Sequence, residues 1–131
     1  MVVKKYQDLI AWQKGIALVA EVYSISSNFP REEMYGLTSQ VRRAAVSVPS
    51  NIAEGQGRAS SGEFVQFLCH ARGSLYEVET QVIVAEDLCY ISAEQAEGLI
   101  QRIGELGRIL NGLITSLQAR KSRVPPSSNH Y

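Results

Sequence analysis

SGEFVQFLCHARGSLYEVETQVIVAEDLC, residues 61–89, is the stretch whose reading decides the fold. Its Phe64, Leu68, Ala71, Leu75, Val78, Val82 and Ala85 recur in alternating steps of four and three. At 3.6 residues per turn those positions line one face of an α-helix. Apolar spacing of this kind, sustained for about six turns, is the seam by which one helix packs into a bundle. Ser60 or Ser61 stands where a capping hydroxyl is needed to start the helix.

The same rhythm extends in both directions. Downstream, Ser92 with Gln95 three residues later forms a capping box. It opens a helix expected over 92–119, whose Leu99, Ile103, Leu106, Leu110, Leu113 and Leu117 repeat the seam. Upstream, a helix is expected over 8–27, with Leu9, Trp12, Ile16, Val19 and Tyr23 on one face and a stop before Asn28-Phe29-Pro30. Another is expected over 32–56, carrying Leu37, Val41, Ala44, Val48 and Ile52 and ending in Gly55-Gln56-Gly57. Pro49 lies inside it, removes one amide and crowds the Ala45 carbonyl, so a kink is expected there, with Ser47 or Ser50 available to the freed acceptor. No stretch alternates as a half-buried strand does. The short connections make successive helices antiparallel, so the fold class is an all-α, up-and-down four-helix bundle over 1–119. Residues 120–131 lose the periodicity and read as a flexible basic tail.

Several functional classes are disfavoured by composition. The chain has 131 residues, 45% of them hydrophobic, which suits one folded domain. Its longest apolar run, Ile16 to Ala20, is far short of the roughly 20 residues needed to span a bilayer. The first residues lack the apolar core of a secretory signal, so a cytoplasmic location and no membrane partner are expected. Cys69 and Cys89 fall about 30 Å apart on one expected helix, too far to bridge, and read as buried thiols. Two histidines, His70 and His130, without Glu-x-x-His, His-x-x-x-His or Cys-x-x-Cys spacing offer no metal site. Nor is there a nucleophile with its base, so neither a catalytic residue nor a cofactor is expected.

Thirteen basic and thirteen acidic residues cancel, but unevenly. Residues 1–60 carry a net +2, residues 61–119 a net −5 and the tail a net +3. The surplus positive charge lies on the second helix and at the chain ends. Arg42, Arg43, Arg58 and Lys14, extended by Lys4, Lys5, Arg120, Lys121 and Arg123, form the candidate nucleic-acid-binding patch. The turn Gly55-Gln56-Gly57-Arg58-Ala59-Ser60-Ser61-Gly62 has the hydroxyls and free amides to touch a phosphate, but lacks the lysine and spacing of a nucleotide-binding loop. Gln40, Arg43, Ser47, Asn51, Glu54 and Arg58 form a polar stripe at helical spacing. Its small central Ser47 and Asn51 suit a structural hydrogen-bond network shared with a neighbouring helix or subunit, with solvent or ligand contact as the alternatives. Apolar residues beyond one stripe, among them Ile10, Leu18, Val22, Val65, Tyr76, Ile83, Val84, Leu88, Ile100, Ile109 and Ile114, suggest either a thick core or self-association.

Leu9-Ile10-Ala11-Trp12-Gln13, Phe29-Pro30-x-Glu32-Glu33-x-Tyr35-Gly36-Leu37, Gln40-Val41-Arg42-Arg43-Ala44-Ala45 and Ser47-Val48-Pro49-Ser50-Asn51-Ile52-Ala53-Glu54-Gly55, continued by Gly57-Arg58 and Gly73-Ser74-Leu75-x-Glu77, resemble the four-helix-bundle family of proteins encoded in bacterial 23S rRNA intervening sequences. That family includes the accessory variability determinant of diversity-generating retroelements. The resemblance implies a cytoplasmic, non-enzymatic bundle assembled as a homopentameric barrel. For the accessory determinant it further implies binding of nucleic acid and a reverse transcriptase through a positive surface. Two functions are therefore expected in competition: an oligomeric scaffold for structured RNA or a ribonucleoprotein, and a protein-interaction module that binds no nucleic acid.

Overall fold

The computed structural model describes residues 5–121. Lys4, Arg123 and the remainder of the expected tail beyond Lys121 lie outside the described residues. A short 3-10 turn, Tyr6–Asp8, leads into α1, Ile10–Ser26. A second, Arg31–Glu33, precedes α2, Leu37–Gln56; α3 is Ser61–Asp87 and α4 is Ala93–Lys121. No strand occurs among the described residues. Each helix packs on the next and α1 closes the ring against α4.

Specific contacts give the direction of three of these four pairs. Arg42 of α2 reaches Ser26 near the end of α1, while Pro49 lies against Gly15 nearer its start. Ser47 meets Ser74, and Gly55 meets Phe64 and Phe67, so α2 and α3 are antiparallel. Lys14 and Glu21 pair with Glu105 and Arg102, which sets α4 antiparallel to α1. The up-and-down bundle expected from the periodicity is thus the observed one.

The α3 seam is buried as expected from Leu68 to Ala85, with Phe64 half-buried at its open end. The α4 seam is buried too, except that Ile114 replaces the half-buried Leu113. The expected face of α1 is wrong by one position. The buried line is Ala11, Gly15, Leu18, Val22 and Ser26, whereas Ile16 and Tyr23 are exposed. Small side chains carry the contact: a Cβ on Gly15 would lie 3.3 Å from Pro49 Cβ, so α1 approaches α2 where bulk is missing. Leu18, Val22 and Ile114 are therefore core, while Ile10, Tyr76, Ile83, Val84 and Leu88 remain exposed.

Helix ends follow local chemistry. Ser60 Oγ accepts from Glu63 N at 3.2 Å, and the Ser92–Gln95 box closes in both directions at 2.9 and 3.1 Å. The second helix begins at Leu37, not 32, because the chain first makes the Arg31–Glu33 turn. At the end of α3, Cys89 takes φ 64°, Cys89 N donates to Glu86 O and Tyr90 N to Ala85 O. That is a Schellman cap with a cysteine where glycine is favoured. Neither cysteine is a buried thiol: Cys89 is exposed at this turn and Cys69 is half-buried. No described helix is long and apolar enough to cross a membrane.

Candidate nucleic-acid interface

Helix α2 positions most of the candidate residues, and its neighbours decide which of them are available. Arg42 lies along α1: Nε donates to Ser26 Oγ at 2.8 Å, Nη2 reaches Tyr23 O at 3.4 Å, and the guanidinium sits 4.5 Å from the Tyr23 ring centroid. Two of its five N–H donors, and one face of the guanidinium, are thus engaged in joining two helices. Arg58 pairs with Glu54 at 2.9 Å and stacks over Phe67 at 4.7 Å. Lys14 pairs with Glu105 at 3.2 Å. Such solvent-exposed pairs contribute only about 0–1 kcal/mol each, but they neutralise the charge a phosphate would meet.

Arg43 is different. It is exposed, with neither an ion-pair nor a hydrogen-bond partner among the described residues. It stands on a ridge between two grooves. The first, about 440 Å³ between α2 and α3, is lined by Tyr35, Ser39, Arg43, Ser74 and Glu77 among others. The second, about 430 Å³ between α1 and α2, is more apolar, with Tyr23, Met34 and Val46 beside Ser39 and Arg43. The four cations proposed from sequence therefore do not form one free patch.

The polar stripe divides similarly. Asn51 Nδ2 donates to Ser47 O at 2.8 Å and to Ser47 Oγ at 3.0 Å, and Ser47 Oγ lies 2.9 Å from Ser74 Oγ. Ser47 and Asn51 thus form the expected network, shared with α3. Their hydroxyl and amide bonds run to Ser74 and Ser47, so Ser47 does not serve the Ala45 carbonyl freed by Pro49; α2 continues through the proline to Gln56. Gln40 and Glu54 are exposed, Gln40 on the α2–α3 groove and Glu54 beside Arg58.

Sequence reasoning passed over the turn that frames this groove. Glu33 Oε1 accepts from Leu37 N at 3.0 Å, and Glu33 Oε2 accepts from Tyr90 Oη at 2.8 Å. One carboxylate therefore starts α2 and ties it to the α3–α4 turn. The Leu37 amide, and then the Tyr90 hydroxyl, lower the Glu33 carboxyl below its ordinary range. The same bond to Glu33, then burial, raises the Tyr90 phenol. Gly36 leaves room for the carboxylate, since a Cβ there would lie 2.8 Å from Glu33 Oε1. Tyr35, between these tied residues, is 93% exposed. Glu33 and Tyr90 are separated by 57 residues, so only the Glu33–Leu37 half of the tie had a local signal.

A search of curated proteins found no match. Among solved structures, the chain is similar to a crystal structure of a protein of unknown function from the S23 ribosomal protein family of Bacteroides thetaiotaomicron. The likeness has a TM-score of 0.75 at 20% identity, over 81% of this chain and 96% of that one. At that identity the likeness supports the fold. The family model for the 23S rRNA-intervening sequence protein matches residues 7–112, and the chain belongs to that family.

Proposed function

We propose that this protein is a non-enzymatic, self-associating scaffold that binds structured RNA or a ribonucleoprotein, with Arg43 of each copy as its principal phosphate contact. The observation carrying this reading is the unpaired Arg43 guanidinium on α2, while the other three candidate cations, Arg42, Arg58 and Lys14, are engaged within the fold. Phosphate contacts supply most sequence-independent affinity for RNA, and a free guanidinium suits them. Repetition of that residue around a homopentamer would add modest contacts by multivalency. The exposed Ile10, Tyr76, Ile83, Val84 and Leu88 are the surfaces that self-association would cover.

Purification from the native cell at low salt tests both parts. The expected result is a native mass near five times 14.4 kDa and RNase-sensitive co-elution of RNA. Arg43→Glu should keep the mass and lose the RNA. Unchanged RNA retention by that variant would overturn the proposed contact. The apolar α1–α2 groove with Tyr23, Met34 and Val46 supports the second reading, a module that docks a protein. RNase-resistant co-elution of a protein by both wild type and Arg43→Glu would favour it.

A further inference from the structure

We propose that the α2–α3 groove is a binding site for one unpaired nucleotide of RNA, with a preference for guanine. The proposal rests on the RNA-binding reading above and assigns the individual groups. Tyr35 is the stacking platform, Arg43 the phosphate contact and Glu77 the group that reads the base edge.

The first support is the presentation of Tyr35. Its ring is almost wholly exposed, yet its backbone lies between Glu33 and Leu37, which are bonded to each other and, through Glu33, to Tyr90. Gly36 N also donates to Glu33 O at 2.9 Å. With the backbone held, only the two side-chain torsions of Tyr35 are left to be ordered when a base stacks on its ring, a low cost for the contact area it offers. Single-stranded RNA is recognised chiefly by such stacking, which a base paired within a helix cannot offer.

The groove's chemistry is the second support. Its volume of about 440 Å³ falls in the range of small-molecule sites. Arg43 and the Ser39 hydroxyl line it and suit a phosphate. Glu77 lines the same groove without an ion-pair partner among the described residues, Arg43 included. A carboxylate beside a phosphate site repels the backbone and accepts hydrogen bonds only. The base edge that offers it two adjacent donors is the N1–H and N2–H₂ edge of guanine. Uracil offers one donor, and cytosine and adenine offer one amino group beside an acceptor.

Fluorescence anisotropy of the full chain at low salt tests this. The probes are an unstructured single-stranded RNA with one central guanine, the same strand with uracil there, and a fully paired hairpin whose loop is a non-nucleotide linker. Tyr35→Ala should weaken the guanine strand by about tenfold or more. Tyr35→Phe should retain its affinity, and the hairpin should bind all three proteins alike. Glu77→Gln should erase the difference between guanine and uracil. Equal binding of the guanine strand by wild type and Tyr35→Ala, with Arg43→Glu still weakening strand and hairpin, would overturn the nucleotide site and leave RNA binding standing. A changed native mass for Tyr35→Ala would overturn it as well, by assigning this face to contact between copies. Absence of wild-type binding to every probe would overturn both readings.

Discussion

Replacing Gly55 by alanine should destabilise the fold, even though alanine is the better helix former. Gly55 is buried near the end of α2, where the helix packs against Phe64 and Phe67 of α3. A Cβ there would lie 2.7 Å from Phe67 Cβ, 3.0 Å from Phe64 Cδ1 and 3.3 Å from Phe64 O. Carbon atoms pack comfortably at about 3.5–4.0 Å, so roughly 1 Å of overlap must be relieved. Phe67 Cβ is fixed to its backbone and cannot rotate away, so the helices themselves must separate. Overpacking of this kind costs about 1–3 kcal/mol, against about 1 kcal/mol gained in helix propensity. A net loss of up to about 2 kcal/mol follows. Urea unfolding at fixed protein concentration, followed by circular dichroism, measures it. Gly112→Ala is the control: its Cβ meets nothing within 4 Å, so it should stabilise by about 0.5–1 kcal/mol. A Gly55→Ala protein as stable as the Gly112→Ala control would refute the close approach of α2 and α3.

Other perturbations test separate contacts. Cys89→Gly should raise stability by about 1 kcal/mol, because φ 64° strains an L side chain; thermal unfolding that shows no gain would count against the Schellman cap. Asn51→Ala should cost about 1 kcal/mol, and a double-mutant cycle of Ser47→Ala with Ser74→Ala should show coupling, since their hydroxyls lie 2.9 Å apart. Glu33 holds fewer protons folded than unfolded, so its contribution is present above the ordinary carboxylate pKa, near 4, and is lost as pH falls below it. Tyr90 holds its proton more tightly when folded, so its share is present below about pH 10 and lost as pH rises through the raised value. Glu33→Gln should flatten the acid limb of a stability–pH curve; an unaltered limb would mean that the tie does not form.

The bundle was legible wherever large apolar residues carry the burial. The α3 line from Leu68 to Ala85 reads directly from its spacing, because every member is larger than glycine and faces the core. In α1 the same rule chose the wrong face. Leu9, Trp12, Ile16, Val19 and Tyr23 have the right period, but the buried line runs through Ala11 and Gly15, and Gly15 makes the close approach to α2 because it has no side chain. A hydrophobicity pattern counts bulk and overlooks contacts made by its absence. At the candidate site, the Ser47–Asn51 network was legible from helical spacing, and its partner Ser74 needed the α2–α3 register. Arg42 and Lys14 read as available in the sequence because their partners Ser26 and Glu105 come from other helices, whereas the Glu54 partner of Arg58 lies only four residues away and its Phe67 stack alone needed the fold. Only the folded arrangement separates Arg43 from them.

The most direct test of the RNA-binding account is a salt titration of affinity for one structured RNA, with wild type and Arg43→Glu compared at equal protein concentration. Wild-type affinity should fall linearly on logarithmic axes as counterions are displaced. The variant should bind more weakly at every salt concentration, with a slope shallower by about one or more. Arg42→Gln should change that slope less than Arg43→Gln does, because the Arg42 guanidinium is held against Ser26 and Tyr23. Identical slopes and affinities for wild type and Arg43→Glu would contradict the central claim.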